Sequence, residues 1–171
     1  TMPTSTDYHP DAVSEQDFIC TYTDTFTDEN LTGIDPIDSR SHKPLFLEVE
    51  QRSYGWSYDY TEDFIIFDFM IKSINQFPIT DVYFGIYIDA DVYHTSEVGY
   101  VDDICGYLPS MPSRTIPGFE DTIRIAWTAD NNGDPDPEAN NEFSFKSATS
   151  VTGTEVLRSP NPDIQFNFNW W

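Results

Sequence analysis

Apolar residues recur at every second position in several separate segments of this 171-residue chain, and no segment carries a sustained helical period. In residues 62–74, for example, every second residue from Ile65 to Ile71 is apolar, whereas the positions between them are mixed. Successive side chains of a strand point to opposite faces of a sheet, so this pattern places one face of the strand in a core. Aromatic residues, 16% of the chain, also fit a pleated surface better than a helix. The sequence therefore predicts an all-β fold.

Loops rich in Gly, Pro, Asn and Asp separate the segments with strand character, as expected for turns. The predicted strands lie at 17–22, 45–56, 62–74, 79–89, 122–127, 142–145, 155–157 and 164–170. Short strands with this spacing are typical of an antiparallel two-sheet β-sandwich, jelly-roll or immunoglobulin-like, although an open barrel would leave the same pattern. We expect a sandwich domain at 17–171, preceded at 1–16 by an extended arm or linker.

The charge of the chain excludes several classes of partner. With 30 acidic and 8 basic residues, the formal net charge is −22, which repels phosphate backbones and anionic lipid surfaces. We expect no nucleic-acid partner and no membrane insertion, since no apolar run approaches the roughly 20 residues of a membrane span. Self-repulsion also favours bound cations, and Ca²⁺ prefers oxygen ligands. A solvated acidic surface is the alternative explanation of most carboxylates.

A first candidate calcium loop directly follows the predicted strand at 122–127. Side chains with oxygen atoms stand at alternate positions and can turn inward together where Gly133 lets the chain curl. These candidate ligands are Asp130, Asn132, Asp134 and Asp136. The loop departs from hand-type calcium loops, because Pro135 stands where a glycine is expected and Asn141 where the bidentate glutamate would fall. A plain acidic turn between strands is the alternative.

A second acidic segment begins at the end of the predicted strand at 79–89. Carboxylates two residues apart project from one face of an extended chain, and a returning loop can bring two more to the same cation. The candidate ligands here are Asp89, Asp91, Asp102 and Asp103. The alternative is that the first two simply end the strand. Since both acidic segments follow core strands, they could meet at one end of the sandwich and share a calcium ion.

Two cysteines occur, Cys20 and Cys105, and neither lies in a CxxC or Cys/His cluster of the kind that binds structural zinc. In an exported protein the pair would form one disulfide, which stabilises a fold by about 3–5 kcal/mol when it closes a long loop. Two separate buried thiols are the alternative. Both ends of the chain resemble cuts through a longer polypeptide, so that a signal peptide would lie outside it.

An aromatic cluster is the third candidate site. It consists of Tyr54, Trp56, Tyr58 and Tyr60. Exposed aromatic faces stack on sugar rings or contact a partner protein, although such residues more often fill or cover a core. Catalytic motifs are scarce: the sequence has no G-x-S-x-G elbow, no H-E-x-x-H and no phosphate-binding glycine-rich loop. We therefore do not expect an enzyme.

Three segments carry a family resemblance: VEQRSYGWS at 49–57, DVYFGIYIDAD at 81–91 and the closing FNWW at 168–171. With these motifs the chain from about residue 17 to 171 resembles an uncharacterised β-sandwich domain of large secreted, multidomain bacterial surface proteins. Such proteins occur in Bacteroidetes-like lineages and metagenomes and often carry fibronectin-type modules. The resemblance implies that the D-x-D pair and the D-N-x-G-D loop are built features. It implies no biochemical activity.

These observations predict a non-catalytic, extracellular or cell-surface module that calcium stabilises. Its expected role is adhesion, surface display or assembly, with other domains of the same polypeptide or neighbouring subunits as partners. The alternative is a carbohydrate-binding module of a secreted polysaccharide-degrading protein, with a polysaccharide as partner. A hydrolase fragment is the third hypothesis.

Overall fold

The computed structural model describes residues 9–94, 101–161 and 163–169. Within these residues the chain forms six β-strands and almost no helix. It divides into two compact units, a first unit Thr1–Phe84 and a second unit Gly85–Trp171. Each contains one three-stranded antiparallel sheet. The all-β prediction is confirmed, whereas the packing of two sheets into one sandwich domain over 17–171 stays a prediction.

The sheet of the first unit consists of β1 (Gln16–Thr23), β2 (Leu47–Gly55) and β3 (Ile66–Ser73), with β2 in the centre. Phe18 lies opposite Ser53, and Ser53 lies opposite Phe67, so the alternation collects apolar side chains on one face. This apolar face comprises Phe18, Cys20, Tyr22, Val49, Phe67, Phe69 and Ile71. The other face is mainly polar and carries a cross-strand ion pair between Lys72 Nζ and Glu48 Oε1, 3.3 Å apart.

The residues before β1 form hydrogen bonds with the last residue of β2 and with a residue just after it. The Ser14 hydroxyl accepts a hydrogen bond of 3.1 Å from the Gly55 N–H. Glu15 accepts two hydrogen bonds from Ser57, 2.6 Å from its N–H and 2.8 Å from its hydroxyl. The last part of the predicted arm is therefore fixed to the sheet, while residues 1–8 lie outside the described residues.

The long connection between β1 and β2 is closed by the carboxylate of Asp24. That carboxylate accepts hydrogen bonds from the backbone N–H groups of Leu45 and Leu47, at 2.5 and 2.8 Å. The connection contains one short helix, α1 (Glu29–Thr32), whose first turn is capped by the side chain of Asp28. The polar loop expected between 23 and 41 thus returns the chain to the sheet through side-chain capping rather than through a tight turn.

The sheet of the second unit consists of β4 (Ile104–Pro112), β5 (Glu120–Ala129) and β6 (Val151–Glu155), with β5 in the centre. A 3₁₀ helix, Pro137–Ala139, lies between β5 and β6. Trp127 pairs with a glycine on each side, Gly106 on β4 and Gly153 on β6. A Cβ on Gly106 would lie 2.5 Å from the Cζ2 atom of the Trp127 ring. The indole therefore packs where only a glycine leaves room.

Strand β5 carries a bulge near its middle. β4 advances two residues from Leu108 to Ser110, whereas β5 runs three residues between their partners Ile125 and Thr122. Arg124 lies in this stretch with a φ of 50°, in the left-handed region that a non-glycine residue seldom adopts. Bulges of this kind redirect a side chain out of the regular alternation. Arg124 is thus held in a strained position by the ladder around it.

Strand β4 was not predicted, because Gly106, Pro109 and Pro112 argue against a regular strand. The structure explains how it forms. β4 is an edge strand, and Pro109 falls at the bulge, where no ladder N–H is needed.

Other predicted strands form no ladder in the residues that the structure describes. Residues 79–89 and 164–169 have no strand assignment, and the segment at 142–145 contributes one isolated bridge between Asp136 and Glu142. Alternation reports which side chains can share a face, but a strand also requires a partner backbone. Phe84 instead contacts the first sheet through its side chain, with the rings of Phe84 and Phe69 6.3 Å apart.

The predicted disulfide is wrong, since Cys20 and Cys105 are both free and exposed. The two thiols lie in different units: Cys20 is in β1 of the first sheet, opposite Gln51, and Cys105 is in β4 of the second sheet, opposite Thr128. Neither is the buried thiol of the alternative interpretation.

Iodoacetamide should therefore label both cysteines of the native protein without reductant, because both thiols are accessible. Intact-mass spectrometry should detect two added carbamidomethyl groups per chain, the same number as in a guanidinium-unfolded sample. A native chain that accepts label only after unfolding and reduction would contradict the placement of both thiols.

Candidate functional site

Two aspartates occupy facing backbone positions at one end of the second sheet. Ile104 and Ala129 form the last pair of the β4–β5 ladder. Asp103 directly precedes β4 and Asp130 directly follows β5, so they are the next residues outward from this pair. Facing residues of antiparallel strands have Cα atoms about 4.5–5.5 Å apart. Like charges in this arrangement repel each other, which destabilises the pair.

Asp130 is almost completely buried, with 7% of its surface exposed. One carboxylate oxygen, Oδ1, accepts hydrogen bonds from the N–H groups of Asn132, at 2.8 Å, and Gly133. The other, Oδ2, is buried and has no hydrogen-bond donor among the described residues. A buried acceptor left without a partner destabilises a fold by about 1–3 kcal/mol, and more when it is charged. This oxygen is therefore suited to a ligand.

Asp103 repeats this arrangement from the opposite strand. Its Oδ2 accepts a hydrogen bond of 2.8 Å from the Val92 N–H, while its Oδ1 is buried and has no donor in the described part of the chain. Val92 is itself buried, with 7% exposed, so the segment after the predicted strand at 79–89 lies at the same end of the sheet. A cation between the two aspartates would neutralise the repulsion and bind both unsatisfied oxygens.

The structure brings together only part of the predicted ligand set. Asp89, Asp91 and Asp102 are exposed. Across residues 9–94, 101–161 and 163–169, no three His, Cys, Asp or Glu side chains form a group that could hold a metal ion. A calcium ion at Asp103 and Asp130 would therefore draw its other ligands from backbone carbonyls and water, both of which calcium accepts.

The loop after Asp130 curls as its glycine suggests. Gly133 has a φ of 75°, and a Cβ there would lie 3.0 Å from the Phe143 ring. Its carbonyl accepts a hydrogen bond of 3.0 Å from the Ala148 N–H, and the Asn132 side chain accepts one of 2.7 Å from the Asp134 N–H. These bonds fix the loop that presents Asp130.

Asp136 organises the end of this loop. Its Oδ2 accepts a hydrogen bond of 2.7 Å from the Ser144 hydroxyl, and its Oδ1 caps the 3₁₀ helix by accepting one of 2.9 Å from the Glu138 N–H. These two hydrogen bonds lower the pKa of this carboxyl below its usual value, and the bond from Ser144 contributes more than the bond from Glu138. Both oxygens are thus engaged by the protein, which gives Asp136 a structural position.

Acid should weaken the contribution of Asp136. Because its folded pKa lies below the ordinary 3.8, its ionised form stabilises the fold fully above that value, and this stability is lost as pH falls through the folded pKa. We expect the melting temperature of Asp136→Asn to lie below that of the wild type at neutral pH, with the gap closing below about pH 4. Thermal melts across this range measure it. A gap that stays constant with pH would show that the charge of Asp136 contributes nothing.

The aromatic cluster divides into two parts. Tyr58 and Tyr60 stack with ring centroids 5.7 Å apart and planes 6° apart, in the turn after β2, and are 50% and 80% exposed. Trp56 contacts Phe64 with centroids 6.2 Å apart. Tyr54 lies within β2, opposite Ile66. The exposed pair is the part of the cluster that a ligand can reach.

A cleft that no motif predicted opens beside the bulge of β5. It has a volume of about 490 Å³, and its lining includes Arg124, Tyr107 and the segment 163–167. The available signal was the alternation of apolar and polar residues at 164–168, which the sequence predicted to be part of a strand. A second signal is the lone arginine within the apolar strand at 122–127, but this arginine indicates no binding site until the bulge is known.

No family model, curated protein or solved structure matches this chain. The resemblance to a domain of secreted surface proteins therefore stays a prediction, and the functional argument depends on the geometry of the residues. In the described part of the chain, no helix is long and apolar enough to cross a bilayer.

Proposed function

We propose that this chain is a non-catalytic, calcium-stabilised β-sandwich module that serves adhesion, surface display or assembly within a larger secreted protein. The observation that carries the proposal is the facing pair of Asp103 and Asp130. Each has one buried carboxylate oxygen without a hydrogen-bond donor among the described residues, and each stands one residue beyond the same ladder pair.

Calcium fits this pair better than other common metals. The two unsatisfied atoms are carboxylate oxygens, which hard cations prefer, whereas zinc favours sulfur and nitrogen ligands. Calcium accepts a flexible shell completed by carbonyls and water, while magnesium demands near-octahedral geometry. A net charge of −22 further raises the local concentration of cations.

The sandwich proposal is supported by the exposed apolar residues on one face of each sheet. Phe67 and Ile71 on the first sheet are 53% and 45% exposed, and Val151 on the second is 63% exposed. Apolar sheet faces are stabilised by packing against another layer, as the two sheets of a sandwich do. Surfaces of this kind also fit contacts with neighbouring domains or subunits.

Thermal melting with different cations tests the proposal. Calcium should raise the melting temperature, because an ion that binds only the folded state adds about 2.7 kcal/mol at a hundredfold excess over its Kd. Chelator should reverse the rise, and magnesium at equal ionic strength should give a smaller one. Equal shifts with both ions would reduce the effect to screening of surface charge and contradict the proposal.

The exposed pair of Tyr58 and Tyr60 favours a second candidate function, a carbohydrate-binding module. Stacked tyrosines with free outer faces offer the flat apolar surface on which sugar rings pack. A glycan array separates the two functions, because an assembly module should bind no glycan on it. Binding that Tyr60→Ala abolishes would support the second candidate.

A further inference from the structure

We propose that the cleft beside the β5 bulge binds an acidic sugar, with Arg124 holding the sugar carboxylate. This site lies in the second unit and depends neither on the calcium pair nor on Tyr58 and Tyr60. Its volume of about 490 Å³ falls within the range of about 300–1,000 Å³ typical of small-molecule sites.

Arg124 is available for an anion. The basic side chains of Arg40, Arg52, Lys72 and Lys146 are engaged in ion pairs. Among the described residues, neither Arg124 nor Arg158 has a carboxylate within ion-pair distance. In a chain with 8 basic residues, these two arginines line adjoining clefts that share Arg124 and Phe166.

The guanidinium of Arg124 is oriented by an aromatic ring. Its Cζ atom lies 4.8 Å from the centroid of Phe166. A guanidinium that packs its flat face on a ring keeps its N–H donors at the edge, where a carboxylate can accept two of them. The positive φ of 50° at Arg124 indicates that the bulge holds this residue in a conformation that the strand alone would not select.

The remaining lining favours a sugar acid over a simple anion. Asp163, Gln165 and Asn167 contribute to the same cleft, and their carboxylate and amide groups are suited to hydrogen bonds with hydroxyls. Asp163 can accept a hydrogen bond from a sugar hydroxyl, a donor that a simple anion such as chloride does not offer. The stacked rings of Tyr107 and Phe168, with centroids 5.7 Å apart, fix the segment against β4.

Binding of defined monosaccharides to the full chain tests the proposal. Isothermal titration calorimetry and saturation-transfer NMR should detect binding of glucuronate or galacturonate. Glucose, galactose and acetate should bind at least about tenfold more weakly. Arg124→Gln should weaken uronate binding about tenfold or more. The matched control is Arg114→Gln, since Arg114 is exposed and lines neither cleft; it should bind as the wild type does.

A further variant, Arg124→Gly, removes the guanidinium at a positive φ that glycine adopts without strain, and circular dichroism would establish that it is folded. Three results would overturn the proposal: no binding of either uronate at millimolar concentration, equal binding of the neutral sugars or acetate, or unchanged uronate affinity in both Arg124 variants.

Discussion

The Asp103→Asn variant should melt at a higher temperature than the wild type in chelator and at a lower temperature in calcium. Without a cation, the substitution removes the repulsion between facing carboxylates, and its amide can donate a hydrogen bond to the unsatisfied Oδ2 of Asp130. With calcium, the same substitution removes a charged ligand. We expect each effect to reach about 1–3 kcal/mol, with opposite signs.

The control for this crossover is Asp102→Asn, which removes an equal charge from the neighbouring exposed residue. It should shift both melting temperatures little and in the same direction. Differential scanning calorimetry of the three proteins, with and without calcium, provides the comparison. If Asp103→Asn shifts the melting temperature in the same direction in both buffers, relative to the wild type, the facing pair does not bind a cation.

Gly106→Ala should destabilise the second unit strongly. The new Cβ would lie 2.5 Å from Cζ2 and 2.7 Å from Cε2 of Trp127, so either the indole must rotate off the sheet or the β4–β5 ladder must open. Overpacking of this kind reduces the free energy of unfolding by about 1–3 kcal/mol. Urea denaturation followed by circular dichroism measures the loss of stability.

Gly55→Ala is the matched control, because a Cβ on this strand residue meets nothing within 4 Å. It should be neutral or stabilising by about 0.4–1 kcal/mol, since alanine restricts the unfolded chain. Equal midpoints for the two alanine variants would show that Trp127 does not pack on Gly106.

The sequence predicted the strands whose alternation coincides with a ladder. Every second residue from Ile65 to Ile71 is apolar, and three of these positions lie within β3 on the apolar face. The same reasoning failed at residues 79–89, where a clear alternation has no partner backbone among the described residues. It also missed β4, because Pro109 argues against a strand until the bulge opposite it is known.

The candidate site was predictable in kind rather than in detail. Spacing placed Asp103 and Asp130 among many candidate ligands, Asp130 because it follows the predicted strand at 122–127 and Asp103 because a returning loop could bring it to the acidic end of the strand at 79–89. Only the register of β4 and β5 makes them face each other, and register depends on pairing between distant parts of the chain. For the same reason, spacing could not show that Asp136 is engaged by Ser144 and Glu138.

Calcium titration of the metal-free chain by isothermal calorimetry tests the central claim most directly. The wild type should bind one ion per chain, Asp102→Asn should bind with similar affinity, and Asp130→Asn should lose at least about tenfold in affinity, since it loses a charged ligand. Circular dichroism would establish that the variants are folded. Absence of calcium binding in the wild type, or unchanged affinity in folded Asp130→Asn, would contradict the assignment of a cation site to Asp103 and Asp130.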